Sequence, residues 1–146
     1  MVGENAFKHP DLLEEVKRRG HRIGNHTYNH MGAFKHTNKT YFDNVEKANQ
    51  LLHTNLMRPP HGIMRWHNYI KLRKNNYKII MWDLVTRDYS RNLTAEDVLW
   101  NVKHYVRNGS IITFHDSLKS IDKLQKMLPA ALEWLIDQGY TFKVFD

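Results

Sequence analysis

The chain has 146 residues, 41% of them hydrophobic and 12% aromatic, and its 22 Lys and Arg outnumber its 15 Asp and Glu for a formal net charge of +7. Size and composition fit one globular domain over residues 1–146 and exclude a disordered or fibrous chain. No run of about 18 apolar residues suggests a membrane span, and with no cysteine present, disulfides, thiolate metal sites and cysteine nucleophiles are excluded.

Pro10 opens a helix whose apolar period runs through LLEEV to a stop at Gly20, giving a helix over 10–19 and then a strand over 21–26. A second helix, over 40–53, begins after Thr37 or Asn38 and leads into a short strand at 55–58. A third helix over 66–75 stops at asparagine and is followed by a strand over 78–85. Thr94, with Asp97 three residues on, resembles a capping box and starts a helix over 94–107. A strand at 110–115, a helix at 120–138 and a strand at 140–145 complete the string. Strict alternation of helix and strand predicts an α/β fold with a mainly parallel sheet and helices outside it.

The long connections follow strands, at 27–39 and 86–93, whereas the helix-to-strand turns have one to three residues. In α/β proteins the loops at the carboxyl ends of the strands build the site. This rule selects His26 and His30 after the first strand, Arg58 after the second, Asp88 after the third, and His115 with Asp116 after the fourth. These groups are expected on one rim.

Two imidazoles four residues apart can face one metal ion, and catalytic zinc usually takes three protein ligands and a water. The same spacing also fits surface histidines or hydrogen-bonded core histidines. His115 closes the apolar strand SIITFH and needs a polar partner there: either a backbone carbonyl, or a carboxylate such as Asp88 that would fix its tautomer and suit it to act as a general acid. Arg58, on a proline-stiffened strand end, is either a surface cation or a bidentate clamp for a carboxylate. Residues 58–91 carry eight Lys or Arg against Asp83 and Asp88, a local net charge of +6, interleaved with Trp66, Tyr69, Tyr77 and Trp82. They read as a solvated helix face with core aromatics. A sugar- or polyanion-binding face is the alternative, and no nucleic-acid module accompanies the charge.

GHRIGNHTYNH, RPPHG, WDLVTRDYS and GSIITFHDS, in this order and spacing, resemble the polysaccharide deacetylases of carbohydrate esterase family four, the nodulation-type deacetylases. The resemblance spans nearly the whole chain. It implies a distorted (β/α) barrel and metal-dependent removal of N-acetyl or O-acetyl groups from an acetylated polysaccharide such as peptidoglycan or chitin-type oligomers, commonly with zinc. By this resemblance His26 and His30, in HTYNH, are the metal ligands. Arg58 holds the catalytic base, Asp88 partners the acid, and His115 is that acid. His61, Tyr89 and Thr113 contact substrate, at positions where the family usually has tyrosine, tryptophan and leucine.

The family's Thr-Phe-Asp-Asp-Gly motif, which supplies the base and a third ligand, has no counterpart in the 146 residues, and Asp83 and Asp116 are substitutes for the base whose side chains strand alternation turns away from the rim. Met1 resembles the tail of the family's second strand. The expectation is therefore an incomplete barrel, with self-association across an exposed sheet edge and an inactive chain. The alternative function is a non-catalytic carbohydrate- or polyanion-binding fragment that uses residues 58–91.

Overall fold

In the computed structural model, which describes residues 1–145, helix and strand alternate as expected only in part, since three α-helices precede the first strand and two strands follow one another directly, and the strand pairing among the described residues is parallel. The chain divides into two compact units, Met1–Met81 with Val144 and Phe145, and Trp82–Lys143.

The first unit begins with α1 (Gly3–Lys8) and α2 (Pro10–Arg18), which is entered through Pro10 at its first turn. Helix α3 (Asn38–Leu52) is capped by Thr37, whose hydroxyl accepts from Thr40 N at 3.1 Å. Strand β1 (Leu56–Met57), helix α4 (Trp66–Lys74) and strand β2 (Lys78–Ile79) follow, and β1 pairs with β2 in register Leu56 to Lys78. Tyr41, Val45, Met57, Leu72 and Tyr77 form one buried cluster, and Ala6, Leu13, Ala48 and Leu52 another.

The close approach of α1 to α3 depends on Gly3. A Cβ added there would lie 2.9 Å from Ala48 Cβ and 3.0 Å from Tyr28 Cδ2. Neither α3 nor the buried Ala48 can yield cheaply. Gly3→Ala is expected to destabilise the protein by about 1–3 kcal/mol, read as a lowered urea midpoint with unchanged slope. An unaltered midpoint would show that α1 can ride away from α3.

The second unit contains β3 (Leu84–Val85), α5 (Ala95–Tyr105), β4 (Ile112–Thr113) and α6 (Ile121–Asp137), with β3 pairing β4 in register Val85 to Thr113. The capping box at α5 is present: Thr94 Oγ1 accepts from Asp97 N at 3.2 Å, and Asp97 Oδ2 accepts from Thr94 N at 2.8 Å. Val98 and Val102 of α5 bury against Leu124, Met127, Ala131 and Leu135 of α6. The i, i+3/i+4 spacing of these residues is the helical period seen in the sequence.

Four expectations need correction. Helix α1 has no counterpart among the expected elements, because its start is a glycine and His9-Pro10 ends it after two turns; its one local signal is the Glu4–Lys8 pair, at 2.8 Å. The strand at 21–26 is reduced to one bridge, Asn25 to Met57, since the backbone turns into the left-handed region at Thr27. The strand at 78–85 is interrupted: the Arg58 guanidinium binds the carbonyls of Ile80 and Met81 at 3.1 and 3.2 Å, so these acceptors serve a side chain instead of a ladder. Residues 140–145 have β-prone side chains but no ladder, and Phe142 and Val144 stay exposed. Among the described residues no helix is long and apolar enough to cross a membrane.

Candidate functional site

Asn25 and Thr27 set the position of His26. The Asn25 backbone lies beside β1, with Asn25 N donating to Leu56 O at 2.7 Å and Arg58 N donating to Asn25 O at 2.9 Å. Its side chain is fully buried; Nδ2 donates to Val45 O at 2.9 Å and Oδ1 accepts from Thr27 N at 2.9 Å. Thr27 has φ 63°, a conformation that costs a β-branched residue on the order of 1–3 kcal/mol. Its Oγ1 accepts from Met31 N at 2.7 Å, which helps offset that strain. The result is a stiff turn that presents His26 and, at φ 58°, His30.

The two rings meet edge to face with centroids 4.9 Å apart. His26 Nδ1 donates to Arg58 O at 2.6 Å, which leaves Nε2 as the atom with a lone pair for a cation. Burial pushes the His26 pKa down to about 4, more strongly than the Arg58 carbonyl pulls it up, so this ring is neutral at pH 7, as a metal ligand must be. His61 lies on a 3-10 turn, Pro60–Gly62, at φ 60°, and its ring sits 4.9 Å from that of His30. His30 and His61 also line an open cavity of about 300 Å³ with Phe34, Lys35 and Ile63. Among the described residues no three His, Asp or Glu side chains already converge as a metal centre.

In the second unit, Asp88 is fully buried just beyond β3. Its Oδ1 accepts from His115 Nδ1 at 2.7 Å and from Tyr89 N at 3.0 Å, and its Oδ2 accepts from His115 N at 2.6 Å. Burial alone would raise this carboxyl's pKa; the hydrogen bonds from His115 and Tyr89 outweigh it and hold the group below the usual carboxylate range. An ionised Asp88 only accepts, so His115 carries a hydrogen on Nδ1 and directs Nε2 away. The Tyr89 ring packs edge-on against His115 at 4.7 Å. Lys123, which no motif in the sequence singles out, donates to Asp88 O at 3.1 Å and to Ser90 O, fixing the loop from behind.

Thr113 lies in β4, and its carbonyl accepts from both the backbone N and the hydroxyl of Thr86 at 3.2 and 3.0 Å. Asp83 binds Ile111 N at 2.7 Å and Ser110 Oγ at 3.0 Å, so it closes a turn. Of the aromatics expected in the core, Tyr77 is buried, but Trp66 is 72% exposed and stacks on Tyr69 at 5.1 Å because it opens α4 on its outer side.

Each unit displays chemistry-bearing groups at its strand ends, a pair of adjacent imidazoles in the first and a carboxylate-clamped imidazole in the second. The sequence model of the polysaccharide deacetylase family matches residues 1–79, more than half of the chain, and the chain belongs to this family. A peptidoglycan-N-acetylglucosamine deacetylase of Bacillus cereus is 29% identical over 140 residues, covering 88% of this chain and 50% of that protein. A solved peptidoglycan N-acetylglucosamine deacetylase in complex with 4-naphthalen-1-yl-N-oxidanyl-benzamide aligns with TM-score 0.86 and 26% identity over 99% of this chain and 70% of its own. The family 4 carbohydrate esterase from Streptomyces lividans, solved with acetate, aligns with TM-score 0.84 and 21% identity over 94% of this chain and 72% of its own. The chain thus spans about half the length of the first curated relative it matches and carries the α/β fold of these esterases.

Proposed function

We propose that the chain acts as a metal-dependent hydrolase that removes acetyl groups from the amino sugars of a polysaccharide, with N-acetylglucosamine polymers as its substrate class. The observation that carries this reading is the Asp88–His115 pair, an imidazole clamped by a buried carboxylate. It is supported by family membership and by the deacetylase names of the relatives. His26 and His30 would hold a divalent ion, zinc being the commonest choice for imidazole donors. They fit in two respects: His26 is neutral with Nε2 unprotonated, and the His30 ring is its direct neighbour. When bound, such an ion supplies Lewis-acid polarisation of the acetyl carbonyl.

The remaining roles belong to the chain's own groups. Water adds its oxygen to the acetyl carbon, the C–N bond breaks, acetate leaves, His115 Nε2 delivers a proton to the departing amine, and the proton that the water gives up returns to that nitrogen. Asp88 keeps the ring in the tautomer and orientation this requires. Arg58 is a positioning residue: its guanidinium holds the Ile80 and Met81 carbonyls while its own carbonyl orients His26. Tyr89 and Thr113 flank substrate, and His61 lines the cavity beside His30.

Zinc-dependent acetate release from N-acetylglucosamine oligomers, abolished by chelator and by His26→Ala, is the result that supports this reading; it would overturn the expectation of an inactive chain and make a carboxylate within residues 1–146 the base. A second reading is favoured by the exposed Trp66–Tyr69 stack, a platform for a sugar ring in a basic surround. Oligomer binding that is indifferent to chelator and to His26→Ala but lost in Trp66→Ala, with no acetate released, would replace the hydrolase with a carbohydrate-binding protein.

A further inference from the structure

We infer that the outer face of α4 docks a carboxylate-bearing amino-sugar polymer, with sugar rings on Trp66 and Tyr69 and anionic groups on Arg73 and Lys74, an assignment that rests on the hydrolase reading and adds the polymer's charge and path. Charge pairing, exposure and continuity each point to it.

Residues 47–82 hold seven Lys or Arg and no Asp or Glu. Elsewhere in the first unit, helix cations are neutralised by carboxylates one turn away: Lys8 by Glu4 at 2.8 Å, Lys17 by Glu14 at 2.7 Å, Arg18 by Glu15 at 2.7 Å and Lys39 by Asp43 at 2.6 Å. Among the described residues, the partners of the α4 cations are neutral. Lys71 Nζ lies 3.8 Å from the Phe42 ring centroid, and Arg73 Nη1 donates to Tyr77 O at 3.4 Å. The adjacent α3 offers carboxylates that are already engaged, Asp43 by Lys39 and Glu46 by the Tyr77 hydroxyl at 2.9 Å. Positive charge therefore accumulates along α4, where it attracts an anion.

A helix C-terminus favours cations, which accounts for Lys71, Arg73 and Lys74 as structure. It does not account for the other end of the helix. Trp66 is 72% exposed and stacks on Tyr69 at 5.1 Å, with ring planes 20° apart. The i, i+3, i+7 spacing places Trp66, Tyr69 and Arg73 on one stripe about 10 Å long, the reach of a disaccharide. A flat amphipathic platform followed by a cation suits a sugar ring followed by an anionic group. The guanidinium fork matches a carboxylate, and one fork per platform matches a polymer charged on only some of its sugars. A nucleic acid, charged at every nucleotide, is met by cations along its whole track.

The stripe also leads back to the candidate site. Arg65, just before α4, donates to Phe34 O at 3.2 Å and lies 5.7 Å from the Phe34 ring centroid. Phe34 and Ile63, both more than half exposed, line the 300 Å³ cavity with His30. Exposed apolar side chains thus lead from the cavity past Arg65 to Trp66. A polymer with one sugar at the cavity continues along α4.

The test measures binding to the whole chain in chelator, at about 50 and 200 mM salt. The probes are hyaluronan fragments, in which N-acetylglucosamine alternates with a carboxylate-bearing sugar, neutral N-acetylglucosamine oligomers of the same length, and a single-stranded oligonucleotide. The parent is expected to bind the hyaluronan fragments on the order of tenfold more tightly than the neutral oligomers at the lower salt and to lose most of that preference at the higher. Arg73→Gln combined with Lys74→Gln should remove the preference, Trp66→Ala should weaken both glycans on the order of tenfold, and His26→Ala should change neither. Hyaluronan binding by the Arg73, Lys74 double variant within about a factor of two of the parent would overturn the proposal. Tighter binding of the oligonucleotide than of hyaluronan, lost in the same variants, would overturn it in favour of a nucleic-acid surface. Zinc-dependent acetate release without any charge preference would remove the docking surface and leave the hydrolase; a charge preference without acetate release would do the reverse. Trp66, Arg73 and Lys74 are exposed, so their variants are expected to fold as the parent does, which thermal melts check.

Discussion

Replacing Asp88 by asparagine is expected to lower the turnover of acetate release by about 10²–10⁴-fold, the contribution typical of a positioned acid–base group. The two carboxylate oxygens serve different donors: Oδ1 accepts from the His115 ring and Tyr89 N, while Oδ2 accepts from His115 N. An asparagine keeps one acceptor and turns the other into a donor. If its NH2 faces His115 N, two donors oppose each other in a fully buried place. If it faces the ring, Nδ1 must accept, and the tautomer that makes Nε2 the proton-exchanging atom is no longer imposed. His115→Ala is expected to lose about as much, and the double variant little more than either, because the pair acts as a unit. Multiplicative losses in the double variant would separate the two residues' roles. The loss should lie in kcat.

The same carboxylate makes an acid-stability prediction. Its folded pKa lies below the 3.8 of an ordinary aspartate, so its contribution is fully present above about pH 4 and is lost as pH falls through the folded value. Asp88→Asn should therefore unfold less steeply with acid, from a lower starting stability.

Much of this pair was legible. The GSIITFHDS and TRDYS segments end neighbouring parallel strands, and the register Val85 to Thr113 brings residues two and three positions further on side by side. Hydrophobic period and strand-end display suffice for that inference. The Thr94 and Asp97 capping box was equally direct, being local chemistry. By contrast, the contact between the His30 and His61 rings was not visible, since His61 stands 31 residues beyond His30 and reaches it through a left-handed turn that a histidine rarely adopts. Thr27 hid its role for the same reason: a β-branched residue at positive φ is compatible with the fold only because Asn25 and Met31 bond to it. The strand expected at 140–145 illustrates the opposite error. Tyr, Phe and Val favour a ladder, but propensity provides no hydrogen-bonding neighbour.

Lowering the pH from 6.5 to 4 should destabilise the metal-free protein through His26, by about 3 kcal/mol at most. The ring is shielded from water between the Asn25–Thr27 turn and Arg58. Burial is the largest influence on it and opposes the charged form; the nearby N-terminus, His30 and Arg58 add repulsion, and only the hydrogen bond to Arg58 O acts the other way. The folded ring therefore resists protonation until about pH 4, whereas the unfolded ring takes up its proton near 6.5. Within that window the unfolded chain binds more protons, so stability must fall as pH drops and then level off below about 4. His26→Gln keeps an N–H that can reach the Arg58 carbonyl and removes the titration. Urea unfolding in chelator at pH 7, 5.5 and 4.5 should give a smaller loss for His26→Gln than for the parent, the difference growing across the window. Parallel profiles would mean that the ring is hydrated and protonates as an ordinary histidine, and zinc would then have to displace a proton from it in mild acid. A separation of the profiles would show that the fold holds His26 neutral before any cation arrives.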